Sequence, residues 1–153
     1  YGAPNVPRDS YVFRSSWSPQ INVAWDVRRT DLDYSWMHRS IQQWRSIAPD
    51  YLGDYYPLIP YDPTDYAWSA WQFNRPDLHQ GMVQVFRRAR SEMTSARLKL
   101  RDIDPDAHYA LTDLDTGATE QHSGMELQTR GVDIPMAQPD SSKIIVYKRA
   151  INQ

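Results

Sequence analysis

Catalysis by two carboxylates needs an acid and a base, or an acid and a nucleophile, at a fixed separation. The first third of the chain offers Asp26, Asp31, Asp33 and Asp54 for such a pair. Spacing alone does not make a pair catalytic, and each of these residues has a structural use. Asp31 or Asp33 can cap the helix that follows them, where a side-chain oxygen accepts from free backbone N–H groups. Asp26 lies within reach of Arg28 or Arg29. The acidic stretch "TDLDTG", 112–117, lacks the alternating oxygen ligands and closing glutamate of a calcium loop and reads as a turn. The histidines, His38, His79, His108 and His122, are scattered and give no metal-ligand spacing. The serines of "RSSWS" and "PDSSK" sit in no nucleophile elbow, and the glycines form no phosphate loop. With no cysteine in the chain, thiolate chemistry, thiolate metal sites and disulfides are excluded. No catalytic residue, metal ligand or cofactor site is therefore expected within these 153 residues.

Arg87, Arg88 and Arg90, close to Trp68, Trp71 and Phe73, have the composition of a nucleic-acid platform. The field to support one is missing: 17 Lys and Arg stand against 19 Asp and Glu, a net charge of −2. The arginines read instead as a strand end on a wet surface, followed by a solvated turn in "RSEMTSA". Trp68 and Trp71 differ by an odd number, so a regular strand sends them to opposite faces. One is core, and the other is a sugar platform or an anchor against neighbouring structure. Six Trp and ten Tyr against three Phe form the polar-tipped aromatic inventory of such surfaces. No apolar run reaches the ~18 residues that cross a membrane. The opening "YGAPNVPRDS" lacks the basic start and apolar stretch of a signal peptide. Without an initial methionine, the chain reads as a mature product or an excised piece, and its compartment is not specified.

These side chains must be positioned by two differently textured segments. Residues 1–20 hold Pro4, Pro7 and Pro19 and read as mostly loop. "INVAW", 21–25, has the composition of a short strand. Residues 31–48 carry Met37, Ile41, Trp44 and Ala48 on one helical face, widened by Trp36 and Ile47, and Pro49 stops the run. One such stripe cannot be hidden by the helix itself. "YLGDYYPLIPYDPTD", 51–65, is a connector and the best domain boundary. From 66 onward, about seven short alternating or β-rich runs follow at the spacing of a sandwich. In "SARLKLRDI", Ala96, Leu98 and Leu100 alternate with Arg97, Lys99 and Arg101, which gives one buried and one wet face. "TDLDTGATE" is a hairpin closed through Gly117. "SGMELQTRG" is a lone helical turn with a Ser123–Glu126 capping box and Gly131 just past its end. "AWQFNRPDLHQGMVQVFRR" is a hairpin with "NRPDLHQG" as its loop.

Several of these pieces occur together and in order in one enzyme family. "GDYYPLIPYD", "AWQFNRPDLHQGMVQVFRR", "LKLRDIDPDAHYALTDLDTG", "SGMELQTRG" and "IIVYKR" resemble the C-terminal portion of α-galactosidase-like enzymes of glycoside hydrolase family 36, in clan D, the melibiase group. "VFRSSWSPQINVAWDVRR" is similar to the approach to the last strand of that family's catalytic (β/α)8 barrel and the strand itself. "DYSWMHRSIQQWRSIAPDYLGDYYPL" is similar to the final barrel helix and its exit. The resemblance implies an α+β chain: residues 1–60 as the last strand and helix of a barrel, and residues 61–153 as an antiparallel β-sandwich.

The family retains anomeric configuration through two aspartates, a nucleophile and an acid/base, and both motifs lie upstream of the matched region. The resemblance thus implies a scaffold without its own reaction centre. The implied partners are the rest of the barrel, carbohydrate in the intact enzyme and further copies in a homo-oligomer, with neither nucleic acid nor membrane. If "INVAW" is the last barrel strand, the residues just after it approach the face that carries barrel active sites. Asp26, the first charged residue there, is then the substrate-side contact, and a salt bridge to Arg28 or Arg29 is its structural alternative. Two rival readings are a free-standing carbohydrate-binding sandwich and a plain interaction domain. An exposed, coplanar aromatic pair on one sheet face would mark the first. A large apolar patch on the helix side would mark the fragment of a larger enzyme.

Overall fold

The computed structural model of the chain describes residues 9–21, 26 and 28–150. The expected strand "INVAW" lies outside the described residues except for Ile21. Within residues 1–20, expected to be mostly loop, a short helix, α1, runs Ser10–Ser15. Asp9 starts it by accepting from the backbone N–H groups of Tyr11 and Val12 at 2.9 and 3.1 Å. Six residues do not hold a helix in water; burial of Phe13 and Arg14 against the rest of the protein does so here.

The expected long helix is α2, Tyr34–Ile47. Asp33 caps it, accepting from the Trp36 N–H at 2.9 Å, and Pro49 turns it into the 3-10 segment Ala48–Leu52. Its apolar stripe is inward: Met37 and Ile47 are buried, and Trp36, Ile41 and Trp44 are half-buried. The opposite face is His38, Arg39, Gln42, Arg45 and Ser46, all exposed.

Eight strands follow: β1 (Asp54–Pro57), β2 (Trp68–Arg75), β3 (Gln80–Arg87), β4 (Ser95–Leu98), β5 (His108–Asp113), β6 (Thr119–Ser123), β7 (Val132–Pro135) and β8 (Ser141–Arg149), with a short helix α3 (Gly124–Thr129) between β6 and β7. Six of them form one antiparallel sheet in the order β1-β2-β3-β8-β5-β6, and β4 pairs with β7 in a second. β1 falls within residues 1–60, so that segment contributes the sheet's first edge strand.

The hairpin loop between β2 and β3 is shorter than "NRPDLHQG". Asn74 and Arg75 pair with Gly81 and Gln80, which leaves the turn Pro76–Leu78 and His79 at φ 53°. Gly81 is what permits the extension. A Cβ there would stand 2.3 Å from the Tyr147 hydroxyl and 2.4 Å from the Phe73 carbonyl, closer than any side chain tolerates.

The large sheet is covered on both faces, and strand alternation sends apolar side chains each way. Towards the small sheet and α3, Trp68, Ala70, Val83, Val85, Tyr109, Leu111 and Tyr147 meet Leu98, Leu100, Leu127, Val132 and Ile134. Towards the helices, Met82 and Ile144 meet Phe13, Trp17, Ile47 and Tyr51. This doubly covered position explains why β3 is buried from Gly81 to Arg87. Leu127 is fully buried, and burial of such a side chain stabilises by about 1.5–3 kcal/mol. The expected Ser123 cap of α3 forms, with the Ser123 hydroxyl accepting from the Glu126 N–H at 3.1 Å. Gly131, at φ 79°, sits just past the helix end, its N–H bonded to the Glu126 carbonyl.

Candidate functional site

The best-organised polar chemistry lies in two places: the seam between the helices and the large sheet, and a loop folded against the end of β2. At the seam, Arg14 projects from α1 and its side chain is only 3% exposed. Nη1 donates to Asp115 Oδ2 at 2.9 Å and to the Ser142 carbonyl at 3.2 Å. Nη2 donates to Gln43 Oε1 of α2 at 2.9 Å and to Asp115 Oδ1. One guanidinium thus ties both helices to the β5–β6 turn and to β8. Burial alone would raise the Asp115 pKa. The hydrogen bond and charge of Arg14, with Gln43 and the charge of Lys143, outweigh it and hold the carboxyl below its ordinary range. Trp44 of α2 adds a bond from its indole N–H to the Ser18 carbonyl at 2.9 Å.

Aromatic rings complete the seam. Tyr51 and Phe73 meet edge to face at 4.8 Å, Tyr55 joins Phe73 at 5.4 Å, and Tyr11 meets Phe86 at 5.4 Å. Trp71 stacks on Phe86 at 5.2 Å and donates to Gln84 Oε1 at 2.6 Å.

The second place is a buried amide clip. Gln72 donates to the Arg101 carbonyl at 2.9 Å and accepts from the Arg101 N–H at 2.7 Å. Its amide also donates to the Tyr147 hydroxyl, which in turn donates to Asn74 Oδ1, each at 2.7 Å. Asn74 Nδ2 donates to the Asp102 carbonyl. Gln72, Asn74 and Tyr147 are all buried, so every bond is made where an unmade one would cost about 1–3 kcal/mol. The clip fastens Arg101 and Asp102 to the end of β2. Two amides at alternate positions of an apolar strand are the signal in the sequence for it: strand alternation points Gln72 and Asn74 the same way as Trp68 and Ala70.

The residues singled out in the sequence are not brought together into one site. Asp26 is exposed and makes a bidentate pair with Arg28, at 2.8 Å for both bonds, which lowers its pKa. Asp31 pairs with Arg29, Asp33 caps α2 and Asp54 opens β1 on the exterior. Trp68 is core, and its indole donates to the Met93 carbonyl at 3.2 Å. Trp71 faces the other way, half-buried on the helix side of the sheet.

The wet-surface reading of the arginines is corrected at Arg87, which is 5% exposed. It donates to the carbonyls of Met136, Ala137 and Ser91 at 2.7, 2.7 and 2.8 Å. The cause is the end of the sandwich: three loop carbonyls converge there and a guanidinium can satisfy all of them. Ser91, expected in a solvated turn, is buried with it. Arg88 serves the connector, donating to the carbonyls of Asp62 and Thr64. Among the described residues, no group of three or more His, Asp or Glu is placed to hold a metal ion, and no helix is long and apolar enough to cross a membrane.

Comparison with known proteins gives this architecture a setting. The family model of the glycosyl hydrolase family 36 C-terminal domain matches residues 68–146, from the start of β2 into β8. Comparison with curated protein sequences finds no match. Among solved structures, the chain is similar to the family 36 α-galactosidase AgaA of Geobacillus stearothermophilus, at 21% identity and a TM-score of 0.65 over 82% of this chain. It is also similar to α-galactosidase AgaB of the same organism, at 23% identity and a TM-score of 0.62 over 79% of this chain. The α-galactosidase of Lactobacillus brevis matches at 13% identity and a TM-score of 0.63 over 84% of this chain. At such identities the likeness is one of fold. This chain spans only 17% of AgaA, 17% of AgaB and 18% of the Lactobacillus brevis enzyme.

Proposed function

The chain belongs to the glycosyl hydrolase family 36 C-terminal domain family, and on that premise we propose that it is the non-catalytic C-terminal part of an α-galactosidase-like enzyme, supporting the catalytic barrel. The observation that carries this reading is how the likeness is distributed. Coverage of 82% of the chain exceeds what residues 68–150 can supply, since they are about half of it, so the fold shared with AgaA extends into the segment ahead of the sandwich. That segment is welded to the large sheet by the Arg14 network and the Phe13–Trp17–Ile47–Tyr51 cluster. A sandwich fastened in this way acts as a buttress for whatever the helices belong to. In this reading residues 1–60 are the last strand and helix of the barrel, and residues 61–153 are the sandwich packed against it. The parent enzyme hydrolyses α-linked galactosides or related α-glycosides with retention, using two aspartates outside these 153 residues. Asp26 is this reading's substrate-side contact, and its salt bridge with Arg28 is the structural alternative that the kinetics of Asp26→Asn separates from it.

Two measurements test the proposal. The isolated chain, assayed on aryl α-galactosides, shows no turnover above buffer; turnover that survives repurification and vanishes on mutating one aspartate of this chain overturns it. In the intact enzyme, Asp26→Asn lowers kcat/KM by at least about tenfold with the melting temperature nearly unchanged, as befits an exposed side chain. Unchanged kinetics removes Asp26 from the substrate side.

A further inference from the structure

The six-stranded sheet has two edges, and they are built differently. A sheet edge presents a row of unpaired N–H and C=O groups, and native chains blunt it with proline, charge or brevity. β1 is one edge. Just past it, the Leu58 N–H bonds the Ala70 carbonyl at 2.9 Å, and the register runs back through Tyr56↔Gln72 and Asp54↔Asn74. In an antiparallel ladder the residues alternate between facing their partner strand and facing away. Tyr55 and Pro57 therefore turn their backbone groups outward. Proline has no N–H, so the outward donors of β1 reduce to that of Tyr55.

β6, Thr119–Ser123, is the other edge. At its two ends the Gly124 N–H bonds the Ala107 carbonyl at 2.7 Å and the Asp113 N–H bonds the Ala118 carbonyl at 2.9 Å. With Leu111↔Glu120 and Tyr109↔His122 between them, residues 118, 120, 122 and 124 point their backbone groups at β5. Thr119, Gln121 and Ser123 point theirs away from the sheet. No proline or lysine interrupts the strand, and Thr119, Glu120 and Gln121 are exposed. Among the described residues, no strand pairs with that side.

We propose that β6 is an interface between two copies of this chain, paired antiparallel about a two-fold axis through Gln121. A two-fold interface must complement itself, residue for residue, and this strand does so in one register. With Gln121 opposite Gln121 of the second copy, the two residues exchange both of their N–H···O bonds. The Ser123 N–H of each copy meets the Thr119 carbonyl of the other. Glu120 then falls opposite His122 of the second copy, and His122 opposite Glu120, in the non-hydrogen-bonded pairs where side chains come closest. An imidazole N–H donates to a carboxylate whether the ring is charged or neutral. Sliding the register by two residues loses this match, because Glu120 then meets Glu120 of the second copy, or His122 meets His122. Within one chain Glu120 stands 3.3 Å from His122 with its side chain 74% exposed, so it can turn to the second copy while His122 keeps Glu126, at 3.4 Å. The pairing joins the two large sheets into one. It goes beyond the scaffold role, and its test is independent of that role because pairing needs no catalytic centre.

Sedimentation equilibrium of the 153-residue chain tests the proposal, with amide hydrogen exchange as a second readout. One short strand pair is a small interface, so a monomer–dimer Kd of about 10–100 µM is expected. The outward amides of Gln121 and Ser123 should exchange at least about tenfold more slowly in concentrated than in dilute samples. Gln121→Pro removes the outward N–H without taking a bond from β5, a change that a sheet edge tolerates. It should weaken pairing at least about tenfold, with the circular dichroism of the monomer unchanged. Glu120→Lys should weaken pairing at least about threefold. Adding His122→Glu to it should restore the parent affinity, because each lysine then faces a glutamate of the other copy. If Gln121→Pro does not fold, this charge reversal carries the test. A chain that stays monomeric at about 1 mM leaves the edge to some other occupant and overturns the proposal. So does a dimer whose Gln121 and Ser123 amides exchange as in the monomer, a folded Gln121→Pro that pairs as the parent does, or a double variant no tighter than Glu120→Lys.

Discussion

Replacing Asp115 by alanine strips the buried Arg14 of its carboxylate and is the sharpest probe of the helix–sheet seam. Arg14 is 3% exposed and Asp115 40%, so the two halves of the pair are not equivalent. Loss of one partner from a fully buried pair costs about 3–5 kcal/mol, because the remaining charge is left without compensation. Arg14 keeps Gln43 and the Ser142 carbonyl, and solvent screens the Asp115 side, so Asp115→Ala is expected to cost about 2–3 kcal/mol. Arg14→Met fills similar volume and leaves a carboxylate that water can reach, so about 1–2 kcal/mol is expected. The double variant should resemble Arg14→Met, with a coupling energy of about 2–3 kcal/mol. Urea unfolding followed by circular dichroism measures all four proteins, and Asp115→Ala should lower Tm by about 4–12 °C. A loss below about 1 kcal/mol for Asp115→Ala, or additivity within about 0.5 kcal/mol, would refute the reasoning. The pH dependence has a fixed sign. The folded-state pKa of Asp115 is depressed, so the pair's contribution is present above the ordinary carboxylate value and is lost as pH falls through the lower folded value. Asp115→Ala should therefore flatten the acid limb of the stability curve.

Three further outcomes are expected. Trp44→Ala should cost about 2–3 kcal/mol in urea unfolding, below the range for a fully buried ring, because the indole is half-buried but hydrogen-bonded to the Ser18 carbonyl; a cost under about 0.5 kcal/mol would mean that α2 is not docked. Burial raises the pKa of Asp50, with Gln80 and the charge of Arg75 opposing it, so its ionised form opposes folding as pH rises through the unfolded and then the folded value. Asp50→Asn keeps an acceptor for the Gln80 amide and should raise stability at pH 7, with the gain disappearing as pH falls below the ordinary carboxylate value. Gly81→Ala places a methyl 2.3 Å from the Tyr147 hydroxyl and 2.4 Å from the Phe73 carbonyl. It should cost at least about 3 kcal/mol or abolish soluble expression, whereas Gly117→Ala meets no atom within 4 Å and should lose only about 1 kcal/mol through its φ of 73°.

Local chemistry made much of this protein legible from its sequence. The helix cap at Asp33, the stop at Pro49, the Ser123 cap, the Gly117 hairpin and the alternation of Ala96, Leu98 and Leu100 each depend on residues a few positions apart, and each formed as the spacing required. The order of the β-rich pieces carried the family as well, because several weak motifs in one sequence order exclude most coincidences. What depends on residues far apart was decided only by the tertiary structure. Arg14 and Asp115 are 101 positions apart, and nothing near either one announces the other. The burial of Arg87 required loop carbonyls up to 50 positions downstream to converge on it. α1 has too few residues to be helical without the sheet beneath it. Gln72 and Asn74 read as polar strand positions until the fold laid Arg101 and Asp102 against them.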